Sequence, residues 1–299
     1  MKTVFKKTLV LPILIILLIA AGALVIYVPR LQAGGQQTYD GQRAWNNVAY
    51  QVDLGPRTPG SEAHQKIVDW IVAELKKNGW TAEIQSGSIQ GHPYQNVIGK
   101  RGASNSAIIL GAHYDTRMVA DQDPDPSKRT LPVPGANDGA SGVAVLLELA
   151  RTLPAKMNSD LWLVFFDIED QGDIPGWDWI LGSQAYADSL TTAPQAVVVV
   201  DMIGDANLNI YKEKTSNADV VKQIWVAAAQ AGYSGQFIDQ YKYSMLDDHT
   251  PFLQRGFPAV DLIDFDYSYW HTTSDTADKV SAASLKAVGD TLTKWVLSK

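Results

Sequence analysis

Three short stretches of this chain, residues 107–111, 161–166 and 196–200, are uncharged throughout, and each breaks off within two residues at ionisable groups. The groups are His113-Tyr114-Asp115, Asp167-Ile168-Glu169-Asp170 and Asp201. Runs of five or six apolar residues without polar alternation suit strands covered on both faces, as in a sheet between helix layers. Shorter or interrupted runs at 96–99 and 259–263 fit the same sheet. Helical patterning alternates with them at 39–51, 61–78, 140–153, 183–190, 217–231 and 281–297. This alternation predicts an α/β fold: a single-domain three-layer α/β/α sandwich around a mixed, largely parallel sheet, spanning residues 38–299. In open sheets of that kind the functional crevice lies beyond the carboxyl ends of the strands. The polar residues that end the runs are therefore predicted to share one cleft, with Asn137-Asp138-Gly139 at the mouth of the adjoining helix.

Each of these residues also has an ordinary structural explanation. Asp138 can cap the helix beginning near Ala140, and a lone His113 can be a hydrogen-bonded core histidine. Asp201 is harder to explain that way, because a carboxylate beside a buried strand is costly unless paired or metal-bound. Neighbouring carboxylates such as Glu169-Asp170 point in different directions, so one can bind a metal while the other handles a proton. The chain has no Cys, which excludes disulfides, thiolate zinc sites, iron–sulfur clusters and a thiol nucleophile. Any metal must then sit on Asp, Glu and His. Such a donor set suits Zn²⁺, and an open position on the ion would make the site catalytic. Of the five histidines, His249 and His271 lie in polar C-terminal segments, whereas His64, in an amphipathic helix, and His92, in a polar turn, are expected at the surface.

Residues 8–28 contain no charged side chain. As a helix this segment is about 31 Å long, roughly one hydrocarbon core. It is longer than the apolar stretch of a typical cleavable signal and lacks an obvious cleavage pattern. An uncleaved transmembrane anchor is expected, after a basic stub at 1–7 and before a linker at 29–37. Lys2, Lys6 and Lys7 precede the run, which places the N-terminus in the cytoplasm and the body outside, or the body in the secreted fraction if the segment is cut. The formal charge is −7, and the first 37 residues hold four basic and no acidic groups, which leaves the body at −11. Nucleic acid is not an expected partner of so acidic a body.

Taken in order, Gly55-Pro56-Arg57-Thr58-Pro59-Gly60-Ser61, His113-Tyr114-Asp115-Thr116, Gly135-Ala136-Asn137-Asp138-Gly139-Ala140-Ser141-Gly142, Glu169-Asp170, Asp201 and His271-Thr272-Thr273 resemble the zinc aminopeptidase family and its non-proteolytic relatives, the glutaminyl cyclases. In the aminopeptidase branch the resemblance implies two zinc ions on His113, Asp138, Asp170, Asp201 and His271, with Asp138 bridging and Glu169 as general base. In the cyclase branch it implies one zinc on Asp138, Asp170 and His271, and a proton network joining Asp201 to Asp247. Three features are similar to the cyclases: Asp247 before Asp248-His249, Trp270 before His271, and a long Trp-bearing loop at 171–179. The resemblance assigns Trp270 and Trp177 to the substrate pocket, although either indole can equally be packing. The expected activity is cyclisation of N-terminal Gln of peptides and proteins to pyroglutamate with release of ammonia. The alternative is dizinc hydrolysis of N-terminal residues.

Overall fold

The computed structural model describes residues 37–102 and 106–299. The expected stub at 1–7, the anchor at 8–28 and all of the linker except Gln37 lie outside the described residues. Among the described residues no helix is long and apolar enough to cross a membrane.

Eight strands and seven α-helices make up the described chain: α1 (Gly41–Asp53), α2 (Glu62–Lys77), β1 (Thr81–Ile89), β2 (His92–Arg101), β3 (Ile108–His113), α3 (Ala140–Thr152), β4 (Leu161–Phe166), α4 (Leu181–Ser189), β5 (Ala196–Asp201), β6 (Ile210–Lys212), α5 (Ala218–Ala231), β7 (Phe237–Tyr241), α6 (Thr250–Gln254), β8 (Ala259–Ile263) and α7 (Ala282–Leu297). The main sheet has the order β1-β2-β4-β3-β5-β8. Strands β4, β3, β5 and β8 run parallel, and β2 and β1 are added antiparallel at one edge. A mixed, largely parallel sheet was the expectation, and the five anticipated runs supply β2, β3, β4, β5 and β8.

Alternation along the strands sends successive side chains to opposite faces. Ile108, Leu110 and Ala112 of β3 join Val198 and Val200 of β5 in one core, with α1, α2, α3, α5 and α7. Ile109, Val197, Val199 and Phe166 face the other way, against Tyr186 and Ala187 of α4 and Phe252 of α6. Helix α3 is buried at every position except Arg151, so the segment carrying Asp138 enters the protein interior.

The sequence pattern did not anticipate β1, β6 or β7. Strand β1 is half-buried to exposed along its whole length, so it carries no run of core residues. It forms because Gln90 and Gly91, at φ 53° and 89°, make the two-residue turn with positive φ that matches strand twist. This turn sets Ile89 opposite His92. His64 is also not a surface residue: it is buried on α2, and its Nε2 lies 2.6 Å from Asp167 Oδ1. The amphipathic pattern alone cannot distinguish a polar residue that meets a partner on the buried face.

Candidate metal centre and its pocket

The carboxyl ends of β3, β4 and β5 deliver His113, the segment Asp167–Asp170 and Asp201 to one edge of the sheet, and the start of α3 brings Asp138 beneath them. The N-cap of α3 is Gly139, with no side-chain cap bond, so the Asp138 carboxylate is free for another task. Its backbone is held from outside. Asp275 accepts the N–H groups of Asn137 (2.9 Å) and Asp138 (3.2 Å) and the hydroxyl of Tyr267 (2.6 Å). Asp115 does the same for the acid pair, accepting Glu169 N–H (3.1 Å), Asp170 N–H (3.3 Å) and the Gln171 amide (3.0 Å). Arg57, fully buried, donates to the carbonyls of Tyr114, Pro134 and Gly135, which ties the Gly55–Ser61 turn to the segment after β3 and to the loop before Asp138. Asp275 and Arg57 were not predicted as organising residues. Their only sequence signal is position, Arg57 inside the Gly55–Ser61 turn and Asp275 two residues beyond Thr273.

Asp138, Asp170 and His271 offer ligand atoms that all lie within 4.8 Å of one another, and His113, Asp138 and Asp201 form a second such trio sharing Asp138. His271 Nε2 is 2.9 Å from Asp170 Oδ1 and 3.8 Å from Asp138 Oδ2. His113 Nε2 is 3.1 Å from both Asp138 Oδ1 and Asp201 Oδ1. Asp138 Oδ2 and Asp170 Oδ2 are buried without a hydrogen-bond partner, a costly arrangement for carboxylate oxygens unless a cation meets them. Two carboxylates and an imidazole with an open fourth position fit a catalytic zinc ion. Three non-glycine residues with positive φ stand at this edge: Ile168 (44°), Met202 (47°) and His271 itself (54°). Such clustering of strained backbone is a mark of functional sites.

Gly139 packs against His113. A Cβ there would lie 2.5 Å from the His113 carbonyl oxygen and 2.6 Å from its Nε2. Gly139→Ala is expected to destabilise the protein by about 1–3 kcal/mol and to push the imidazole away from Asp138. Thermal unfolding and zinc content together check this, and an unchanged melting temperature would contradict it.

Over the trio lies a cavity of about 210 Å³, floored by Asp138, Glu169, Asp170, Asp201, Asp247 and His271 and walled by Trp179, Met202, Met245, Leu246, Ile263, Phe265 and Trp270. Trp270 stacks on His271 with centroids 3.7 Å apart and meets Phe265 edge-on. Trp177 is a correction to the expected pocket: it stacks on His92 at 3.6 Å and does not line the cavity. Trp179, two residues further along the same loop, takes that place. A loop without periodicity leaves the choice between two indoles to its tertiary path.

Burial pushes the Glu169 carboxyl well above its ordinary value; the His113 imidazole opposes this, and the charges of Asp248, Asp170 and Asp247 reinforce it. Asp247 is raised to about 7 by burial and by the charge of Asp201, and Asp201 is itself raised, first by burial. Asp138 goes the other way: burial opposes ionisation, but His113 and His271 keep its carboxyl below the usual range.

Behind this floor, buried His249 has its Nε2 3.0 Å from the Thr215 hydroxyl and 3.5 Å from Glu213. Glu213 accepts N–H groups from Thr215, Ser216 and Met245 and both nearby hydroxyls. Burial alone would raise its pKa, yet His249 and these donors bring it down to about 2. A depressed carboxyl contributes stability that is complete above its unfolded value, near 4.5, and lost as the pH falls toward 2. The contribution is about 3 kcal/mol. Glu213→Gln is therefore expected to lower stability at pH 7 and to lose most of that difference by pH 2.5 in denaturant titrations. A difference undiminished in acid would overturn the assignment.

The profile of peptidase family M28 matches residues 96–296. A glutaminyl-peptide cyclotransferase of Boiga irregularis is 25% identical over 305 residues, covering 85% of this chain and 80% of its own. The solved glutaminyl cyclase of Tannerella forsythia superposes with a TM-score of 0.81 at 33% identity, covering 88% of this chain and 100% of that one. A Zn-dependent exopeptidase of Parabacteroides distasonis superposes as well, with a TM-score of 0.83 at 32% identity over 89% and 100% of the two chains. The match extends over more than half of the sequence and includes His113, Asp138, Glu169, Asp170, Asp201 and His271, and on it the chain belongs to peptidase family M28.

Proposed function

We propose that this protein is a zinc-dependent glutaminyl-peptide cyclotransferase, with Asp138, Asp170 and His271 holding the metal, Glu169 as the proton-transfer group, Asp201 and Asp247 as a proton-sharing pair, and Trp270 in the substrate wall. The reading is carried by the pocket. At about 210 Å³ it is smaller than the ~300–1,000 Å³ typical of ligand sites, has indole and aliphatic walls, and ends on Glu169. Such a space admits one small side chain with its amine between apolar walls, which a seated substrate would seal from bulk water. Exclusion of water is what separates cyclisation from hydrolysis. The cyclase names carried by relatives add support.

A bound zinc would supply a fixed positive charge for the side-chain amide oxygen as negative charge develops there. Glu169, lining the pocket, takes a proton from the α-amine as its nitrogen bonds to the amide carbon. It returns that proton to the departing nitrogen as the old carbon–nitrogen bond breaks, so one ammonia leaves per ring closed. A carboxyl whose pKa is raised by burial suits a group that must hold a proton between two nitrogens. Trp270, held by its stack on His271, presents its ring to the substrate side chain.

Dizinc aminopeptidase activity is the second reading, and the His113–Asp138–Asp201 trio is the observation that favours it. Zinc per chain, measured beside ammonia release from a Gln-initiated dipeptide and amine release from a Leu-initiated amide, separates the two. One zinc with ammonia only supports the cyclase; two zincs with Leu-amide cleavage replace it by the peptidase. We further propose that residues 8–28 anchor the body outside the cytoplasm, to be checked by membrane fractionation and protease accessibility.

A further inference from the structure

We infer that Asp121, in the acidic loop after β3, is a positioning residue for the metal: it orients the His271 imidazole and fixes which of its nitrogens is free to ligate. The inference rests on the Asp138–Asp170–His271 trio and not on which reaction the trio serves.

His271 Nε2 faces Asp170 and Asp138, so Nε2 is the nitrogen within the trio. A ligating nitrogen must be unprotonated, which puts the ring proton on Nδ1. That atom is buried and makes no hydrogen bond. Asp121 Oδ1 lies 3.4 Å away, the closest approach of that carboxylate to the ring. Trp270 and Trp179 lie nearly parallel to the ring, at 25° and 12°. Stacking of that kind sets the plane of the ring but is indifferent to a half-turn about its bond to Cβ, which would exchange nitrogens for carbons. An acceptor beside Nδ1 distinguishes the two orientations.

Asp121 is itself locked. Arg117, almost fully buried, grips it with two parallel bonds, Nε to Oδ1 at 2.9 Å and Nη2 to Oδ2 at 2.8 Å. The third nitrogen, Nη1, donates to the Asp170 carbonyl at 3.2 Å and lies 3.7 Å from Asp170 Oδ1. His271, Asp170, Arg117 and Asp121 thus form a closed circuit through two members of the trio. The loop is pinned to the same segment by its backbone, with Gln122 N–H donating to the His271 carbonyl at 3.2 Å. On the other side Asp123 accepts both the N–H and the hydroxyl of Thr273. Carboxylate partners of this kind raise the basicity of a ligating imidazole, and their loss typically weakens metal binding about 10–100-fold.

The test is the zinc dissociation constant of the full-length chain, read by competition with a chelator, and the visible spectrum of the cobalt-substituted protein. Asp121→Ala is expected to weaken zinc binding about 10–100-fold and to shift the cobalt bands, with Asp121→Asn, which retains one acceptor oxygen, in between. Asp125→Asn, in the same acidic loop and capping only its own turn, is expected to bind as the unaltered chain does. Affinity within twofold of the unaltered chain in Asp121→Ala, or an equal loss in Asp125→Asn, would overturn the inference. If Asp121→Ala does not fold, Asp121→Asn alone decides: unchanged affinity and cobalt spectrum refute the role, and a weakened, shifted site supports it. None of these readouts depends on catalysis, so a failure of the cyclase reading leaves a separate signature.

Discussion

Glu169→Gln is expected to lower kcat for ammonia release from a Gln-initiated peptide by about 10²–10⁴, the usual range for loss of a general acid–base group. Zinc content should not change, because Glu169 belongs to neither ligand trio. Stability is expected to hold or rise. The carboxyl is buried beside three other acids, and a neutral amide of the same shape removes a group that resists ionisation there. The check is a kcat and KM determination with zinc analysis and a thermal melt on one preparation. A loss smaller than tenfold would move the proton-transfer role to another group. Loss of zinc together with activity would make Glu169 a structural support of the centre.

Asp138→Asn has the second large effect. Asp138 is common to both trios, and His113 and His271 keep it ionised despite burial. An amide in its place is expected to empty the site, with zinc below about one tenth per chain and activity at background, because a lost ligand weighs more than the ~10–100-fold effect of an outer hydrogen-bonding partner. Asp201→Asn provides the contrast. With one zinc on Asp138, Asp170 and His271, the Asp201 variant keeps its metal and loses rate. With two, it loses one of them. Retention of full zinc by Asp138→Asn would refute this ligand assignment in both branches.

Much of the site was legible because it rests on local rules. The runs at 161–166 and 196–200 are too short and too evenly apolar for surface helices, and residues just past a buried parallel strand emerge at its carboxyl end. That reasoning brought His113, Glu169, Asp170 and Asp201 to one edge, where the structure places them. The helix mouth put Asp138 in the same cleft, and the resemblance added His271 and Asp247; all three line one cavity. Trp177 was misplaced, since neighbouring indoles in a loop differ only in what they meet after folding. His64 was misread because its partner, Asp167, is 103 positions away. Strand β1 was missed because a half-exposed edge strand has no apolar run to reveal it.

The sequence by itself determined the layer order, the ends of the strands and the chemical type of the site. These come from hydrophobic periodicity and from the residue types present, each a property of a few neighbouring positions. Only the tertiary structure decided which oxygens of Asp115 and Asp275 hold the ligand loops, which tryptophan walls the pocket and which acid faces the far side of His271. Those choices depend on contacts between segments distant in the chain, within a few ångströms and with a defined direction. Sequence spacing carries no information about either.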